Sequence, residues 1–258
     1  TVETASLVMA YVGGQLHAPD MAQAHKADPL LTQALAALPF VRSLHLLDGT
    51  GRVLASTAAS DVGMAVPLER LGATPAPERE VLGVFLPGRG LSALAVTAPS
   101  AAAYIGFIPF SRGLRNAEGK TLLLVALINP DFLSSFQLLT LGDQQDSVYL
   151  LNYQGAVMVS SGPHAALPGA VFADHPVFRK FLPTREHFSY EGEGATPGTQ
   201  LVSFRLSKTR PLVVVLERPL ADTRDHWFTS VSWFIMAAVD SMLFVRLMTV
   251  GIGRSLRA

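Results

Sequence analysis

SLHLLDGTGRVLAST, Ser43 to Thr57, returns as SVYLLNYQGAVMVSS, Ser147 to Ser161, without a gap and with six of fifteen positions identical. A second pair follows in the same order: LLVALINP (Leu123 to Pro130) returns as LVVVLERP (Leu212 to Pro219), with four of eight identical. Two unrelated blocks recurring in one order predict two copies of a single domain, not a short-period solenoid. Each first block reads as a β-hairpin. Leu44 to Leu47 is an apolar strand, Asp48-Gly49-Thr50-Gly51 the turn, and Arg52 to Ser56 the return. Asp at the first turn position bonds its own backbone, and Gly at the fourth tolerates positive φ. Asn152-Tyr153-Gln154-Gly155 keeps that logic in the second copy.

Outward from the hairpins, residues 1–18 read as a helix, with Val2, Ala5, Val8 or Met9, Val12 and Leu16 at three- and four-residue steps. Gly13 and Gly14 weaken it. A second helix is expected from a cap at Asp28, with Pro29 in its first turn and Pro39 as its stop. Apolar runs at 81–86, 91–98 and 104–110 read as further strands. Leu122 to Ile128 reads as a central strand, and Asn129-Pro130-Asp131 as the start of a short helix. EGEG, Glu191 to Gly194, reads as a hairpin turn. Ser43 to Pro130 and Ser147 to Pro219 are separations of 87 and 72 residues, so copy one carries fifteen more. The excess is expected between Gly72 and Gly90, as a lid or pocket wall over the sheet.

The charge balance excludes broad classes of partner. Of the 258 residues, 20 are Lys or Arg and 20 are Asp or Glu, so no basic excess points to nucleic acid. There is no cysteine, which excludes thiol catalysis, thiolate metal sites and a disulfide scaffold. A mean hydropathy of +0.34 points to the C-terminus. Between Trp227 and Gly253 the ionisable residues are Asp240 and Arg246. Eleven Val, Ile, Leu and Phe residues there offer about −5 kcal/mol toward insertion, against roughly +3 for Asp240. The stretch 227–253 therefore reads as a transmembrane helix, with residues 1–226 outside and Arg254 and Arg257 on the cytoplasmic side. Pro219 to His226 is expected to lead a helix straight into it. Without a starting Met or a signal peptide, the chain reads as a segment of a longer protein.

The order of these pieces carries a resemblance. VRSLHLLDGTGRVLAST with Val62-Gly63 after it, PFSRGLRNAEGKTLLLVALINPDFL, DSVYLLNYQGAVMVSSG and PLVVVLERPLADTRDHW together resemble the double Cache (PDC) sensory regions of bacterial transmembrane receptors. The resemblance implies an α+β fold: two tandem PAS-like domains, each an antiparallel sheet flanked by helices, on a long N-terminal helix and followed by a transmembrane helix. The expected divisions are 1–27 for the N-terminal helix, 28–145 for the membrane-distal domain, 146–220 for the membrane-proximal domain and 221–258 for the exit and membrane helix. It further implies an inner-membrane homodimer with a periplasmic ligand site in the distal domain. The cytoplasmic outputs implied are diguanylate cyclases or histidine kinases, none of which this segment contains. The amino-acid-binding subgroup carries an Arg shortly followed by Trp-Tyr. Here FIPFSRGLRN offers Arg112 without that pair, which argues against a generic amino-acid sensor.

The expected ligand site is therefore in copy one, with Arg112, Arg115, Phe85, Tyr104, Phe107 and Phe110 as candidates. An Arg at a strand end beside aromatics grips a carboxylate by parallel hydrogen bonds. No cofactor and no metal are expected: His164, His175 and His187 are spaced eleven and twelve apart, beyond the usual ligand spacing, and read as surface residues. Ser56, Ser160 and Ser161 end strands outside any G-x-S-x-G setting, so this segment reads as non-enzymatic. Two alternatives stand beside a small-molecule sensor: a dimerisation or protein-docking module, and a membrane-anchored hydrolase.

Overall fold

Both repeat blocks fold as hairpins, and their turns are built alike. In the first, the Asp48 Oδ1 accepts the backbone N–H groups of Thr50 at 2.8 Å and Arg52 at 3.0 Å. In the second, the Asn152 Oδ1 accepts those of Gln154 at 3.0 Å and Ala156 at 2.9 Å. Gly51 and Gly155 sit at φ of +88° and +79°, where a side chain is strained. At Gly51 an added Cβ would lie 2.1 Å from the Val66 carbonyl oxygen. A bulge falls between Leu46 and Leu47 in one hairpin and between Leu150 and Leu151 in the other.

The computed structural model describes residues 2–16, 24–95, 105–116, 118–140, 146–163, 165–182 and 184–255. The elements run α1 (Val2–Leu16), α2 (Ala24–Ala36), β1 (Val41–Asp48), β2 (Val53–Ser56), β3 (Glu80–Leu82), β4 (Leu86–Pro87), α3 (Ser92–Ala95), β5 (Gly106–Arg115), β6 (Thr121–Ile128) and α4 (Pro130–Thr140). The second half adds β7 (Ser147–Asn152), β8 (Val157–Ser161), β9 (His187–Glu193), β10 (Thr199–Leu206), β11 (Leu212–Pro219) and α5 (Leu220–Ser255). The first sheet is ordered β2-β1-β6-β5-β3 with β4 also on β5, and the second β8-β7-β11-β10-β9. Strand for strand the two orders are the same, and every pairing is antiparallel. The fold is α+β, two antiparallel sheets of like strand order with a helix at each end of the chain.

Alternation along the strands divides the core into layers. One face of the first sheet packs Leu44, Leu46, Ile108, Phe110, Leu124 and Ala126 against Ala5, Met9, Val12 and Leu16 of α1 and Leu31 and Leu38 from α2 and its exit. The same cluster continues into the second sheet through Met158, Val159 and Leu212. The opposite face packs Leu47, Phe107, Leu123, Val125 and Leu127 beneath Val66, Leu71, Leu91 and Leu94 of the segment between β2 and β5. A third cluster covers the second sheet, with Tyr149, Val202, Phe204 and Val213 under Phe172, Val177 and Phe181.

Four expectations change. Gly13 does not weaken α1: it is buried where an added Cβ would meet Leu114 Cδ2 at 2.6 Å, so the helix needs it to approach β5. The second helix begins at Ala24, leaving Pro29 inside it, and the Asp28 carboxylate accepts the Ser56 N–H at 3.3 Å. The apolar run from Leu91 contains a helical turn, α3, because Leu91 and Leu94 three apart both drop into the covering layer. Glu191 to Glu193 belong to β9, so the hairpin turn follows them at 194–198.

At the C-terminus β11 passes into α5 without a break, and α5 runs 36 residues, about 54 Å at the helical rise. Val231–Thr249 is apolar enough to cross a membrane and none of it is buried against the rest of the chain.

Candidate functional site in the first domain

Alternation decides which side chains can meet. Ser43, His45 and Leu47 of β1 point to the covered face, as do Phe107, Pro109 and Ser111 of β5. Phe110, Arg112 and Leu114 point to the helix face. The covering segment is strapped to the sheet by backbone bonds. Gly83 N–H donates to Pro109 O at 2.8 Å and Gly88 N–H to Ile105 O at 2.8 Å. Arg70 Nη1 donates to Leu94 O at 2.8 Å and holds α3 down.

Within this apolar layer lies a polar row. His45 is fully buried, with Ser43 Oγ 2.8 Å from Nε2 and Ser56 Oγ 2.9 Å from Nδ1. Ser56 Oγ also accepts the Ala58 N–H at 2.9 Å, leaving its own proton for Nδ1, so the neutral ring with hydrogen on Nε2 satisfies every atom. Burial lowers the His45 pKa to about 4, although the buried Asp61 carboxylate stands 3.9 Å away. His45 pairs laterally with Val125, and Val125 with Ser111. The Ser111 Oγ is buried and has no hydrogen-bond partner among the described residues, an opening for a polar ligand atom.

A second polar group lies at the end of the sheet where β1 begins. There Arg42 Nη2 donates to Asn129 Oδ1 at 2.7 Å and to Asp131 Oδ2 at 2.9 Å, while its Nη1 is buried without a partner among the described residues. Arg42, Arg89, Ile105 and Asp131 line a cavity of about 350 Å³.

The six candidates read from sequence do not converge. Phe107 is fully buried on the covered face, and Phe85 lies against Gly106 and Gly169 at its edge. Phe110 is on the helix face, and Arg112 beside it pairs with Glu80 at 2.7 Å. Arg115 is exposed at the end of β5, and Tyr104 lies outside the described residues. Sequence reasoning passed over Arg42, Ser43, His45, Arg89 and Ser111. A signal existed for His45: with Ser43 and Leu47 it occupies one face of a strand in the hairpin that identified the fold.

The Arg112 pairing belongs to a larger junction. Glu80 on β3 receives Arg112 Nη1 at 2.7 Å, Arg210 Nη2 at 2.8 Å and the Ser6 hydroxyl at 2.8 and 2.9 Å. Arg210, from the turn between β10 and β11, also stacks 4.9 Å above the Phe110 ring. One carboxylate thus ties α1, the first sheet and the second sheet together. Burial alone would push its pKa up, but the bonds from Arg210, Ser6 and Arg112 outweigh that and hold it below the usual glutamate value.

The second domain has its own buried carboxylate. Glu217 on β11 takes a hydrogen bond from His175 Nε2 at 2.8 Å and from the Ala195 N–H at 2.9 Å. His175 is therefore a buried clasp and not a surface residue; His187 is exposed, and His164 lies outside the described residues. Burial and the nearby Glu217 charge push the Tyr149 hydroxyl up to about 12. Arg218 then grips Asp146 through Nε and Nη2, fastening the start of the second domain to its exit strand.

No sequence-family model matches the chain, and no curated protein sequence does. Solved structures do. The extracellular domain of rpHK1S-Z16, assigned as a histidine kinase, superposes with a TM-score of 0.65 at 18% identity over 86% of this chain and 88% of that one. The periplasmic sensory domain of the Campylobacter jejuni chemoreceptor Tlp1 gives 0.58 at 9% identity over 83% and 87%. The ligand-binding domain of the Pseudomonas aeruginosa amino-acid chemoreceptor PctB, in complex with L-Arg, gives 0.55 at 14% over 86% and 88%. The chain has the double-Cache fold. Within α5, Val231–Thr249 is the candidate membrane span of this double-Cache fold.

Proposed function

We propose that this chain is the periplasmic ligand-sensing region of a membrane-anchored receptor, working as a homodimer and carrying no catalysis of its own. A small molecule enters at Arg42 and Arg89 and settles beneath the covering segment of the first sheet, where the Ser111 hydroxyl meets one of its polar groups. Two arginines at the mouth favour a ligand with a carboxylate or other anionic group. The observation that carries this reading is the buried, unpartnered Ser111 hydroxyl beneath a strapped covering segment, together with the unpartnered Arg42 Nη1 at the cavity mouth.

Transmission follows from connectivity. β3 leaves the covering segment carrying Glu80, Glu80 holds Arg210, and Arg210 sits in the turn that opens β11, which continues into α5. A ligand that prefers one placement of the covering segment biases this series of contacts; one with equal affinity for both placements shifts nothing. Leu7 and Tyr11, 73% and 63% exposed on one face of α1, support a second copy against that helix. The test is a thermal-shift screen of the full chain in nanodiscs against metabolite classes. A true ligand at 100 times its Kd adds about 2.7 kcal/mol. The gain is expected to vanish in Arg42→Gln. Stabilisation by no class of compound, or stabilisation untouched by Arg42→Gln, refutes the reading.

A further inference from the structure

The helix face of the first sheet holds a second cavity that the sensor reading does not use. It measures about 340 Å³ and is lined by Ala10, Gly13 and Gly14 of α1, Pro77 and Glu78, and Arg112, Leu114 and Arg115 of β5. That volume falls within the range of small-ligand sites, and the whole sheet separates it from the covered face. We propose that it binds a small monocarboxylate with an apolar tail.

The guanidinium of Arg112 supplies the grip. Its Nη1 is committed to Glu80 at 2.7 Å, but its Nε is buried with no hydrogen-bond partner among the described residues. A carboxylate docks side-on to an arginine through Nε and the adjacent nitrogen, so the free edge presents the matching pair. The bond to Glu80 fixes the plane of that fork in advance, so less freedom is lost on binding. Gly13 makes the approach possible: an added Cβ would meet Leu114 Cδ2 at 2.6 Å and stand 3.6 Å from Arg112 Nε. At Gly14 an added Cβ would meet nothing within 4 Å, which is the open side of the cavity.

The remaining wall sets the class of ligand. Ala10, Pro77 and Leu114 are apolar and suit a short hydrocarbon tail. Glu78 lies in the same wall and disfavours a second negative charge, so a monocarboxylate is preferred over a dicarboxylate. Its backbone is held at a φ of +62°, the one non-glycine residue so placed among those described, with its N–H bonded to Gly113 O at 2.8 Å. Strain of that kind collects at ligand sites. This site stands apart from the covered-face ligand and neither needs the other.

The test is calorimetric titration of the full chain in nanodiscs with acetate, propionate and butyrate, using succinate as the disfavoured probe. Saturable binding of at least one monocarboxylate is expected. It should weaken roughly tenfold in Arg112→Lys, which keeps the charge facing Glu80 but loses the planar fork. Gly14→Leu projects a side chain into the open side, from a position where the added Cβ meets nothing within 4 Å, and should abolish it. Binding by none of the three, or tighter binding of succinate, overturns the proposal, as does binding that survives either substitution. Binding lost instead in Arg42→Gln lies at the covered-face mouth; that overturns this site and leaves the sensor reading standing.

Discussion

At the residue scale, His45 makes the sharpest pH prediction. Its folded pKa of about 4 lies below the unfolded value of 6.5, so the buried ring stays neutral while the unfolded ring takes up a proton. The native state therefore holds its full stability above pH 6.5 and loses it progressively as pH falls toward 4. The loss approaches about 3 kcal/mol from this one group. Denaturant unfolding between pH 7.5 and 5 should show the decline before the carboxylates begin to titrate, and His45→Gln should flatten it. An unchanged slope in His45→Gln would assign the pH response to other groups. The two glycines of α1 give a second pair of outcomes. Gly14→Ala should gain up to about 1 kcal/mol by removing a helix-interior glycine in open space. Gly13→Ala should lose roughly 1–3 kcal/mol by forcing Leu114 aside, and equilibrium unfolding separates the two.

At the element scale the decisive contact is Glu80, and its prediction concerns coupling more than stability. Three donors from three elements meet one carboxylate whose side chain is 10% exposed. Removing the charge in Glu80→Gln leaves Arg112 and Arg210 facing each other without it. The expected cost is about 1–3 kcal/mol, below that of a fully buried pair because solvent reaches the edge of the cluster. A double-mutant cycle of Glu80→Gln with Arg210→Ala should return a coupling of roughly 0.5–2 kcal/mol. The native pKa is depressed, so the contribution is complete above the ordinary glutamate range and disappears as pH falls below it. A coupling of zero would mean that the second sheet does not feel the first through this carboxylate. This junction also shows where sequence legibility ends. The hairpins, central strands and exit helix announce themselves by apolar runs and turn residues, which are local signals. Arg112 was legible as a cation at a strand end, but not the face it points to. That face depends on the register of β5 and on Glu80, the carboxylate Arg112 shares with Arg210, nearly a hundred residues further on in the chain. His45 was hidden differently: a lone histidine among strand leucines reads as one more core position until Ser43, Ser56 and Asp61 are seen around it.

At the scale of the whole molecule, the question is whether two repeated domains behave as two bodies or one. The helix-face core answers it, because Met158, Val159 and Leu212 of the second sheet belong to the same cluster as α1, α2 and the first sheet. The covered-face cores are separate: Leu91, Phe107 and Val125 lie in one, Val202, Phe204 and Val215 in another. Each domain thus has a private layer beneath its own covering segment and a shared layer that joins the two. Leu212→Ala removes a side chain of the shared layer and should cost about 2–4 kcal/mol. Native-state hydrogen exchange should then speed up in both sheets, including β1 and β6. Val202→Ala, in the private layer, should loosen the second sheet alone. Leu212 opens β11, the strand that passes into α5, so the residue joining the two cores also begins the route to the membrane. If Leu212→Ala left protection in β1 and β6 untouched, the domains would be mechanically independent, and a ligand in the first could not reach the exit helix through the core.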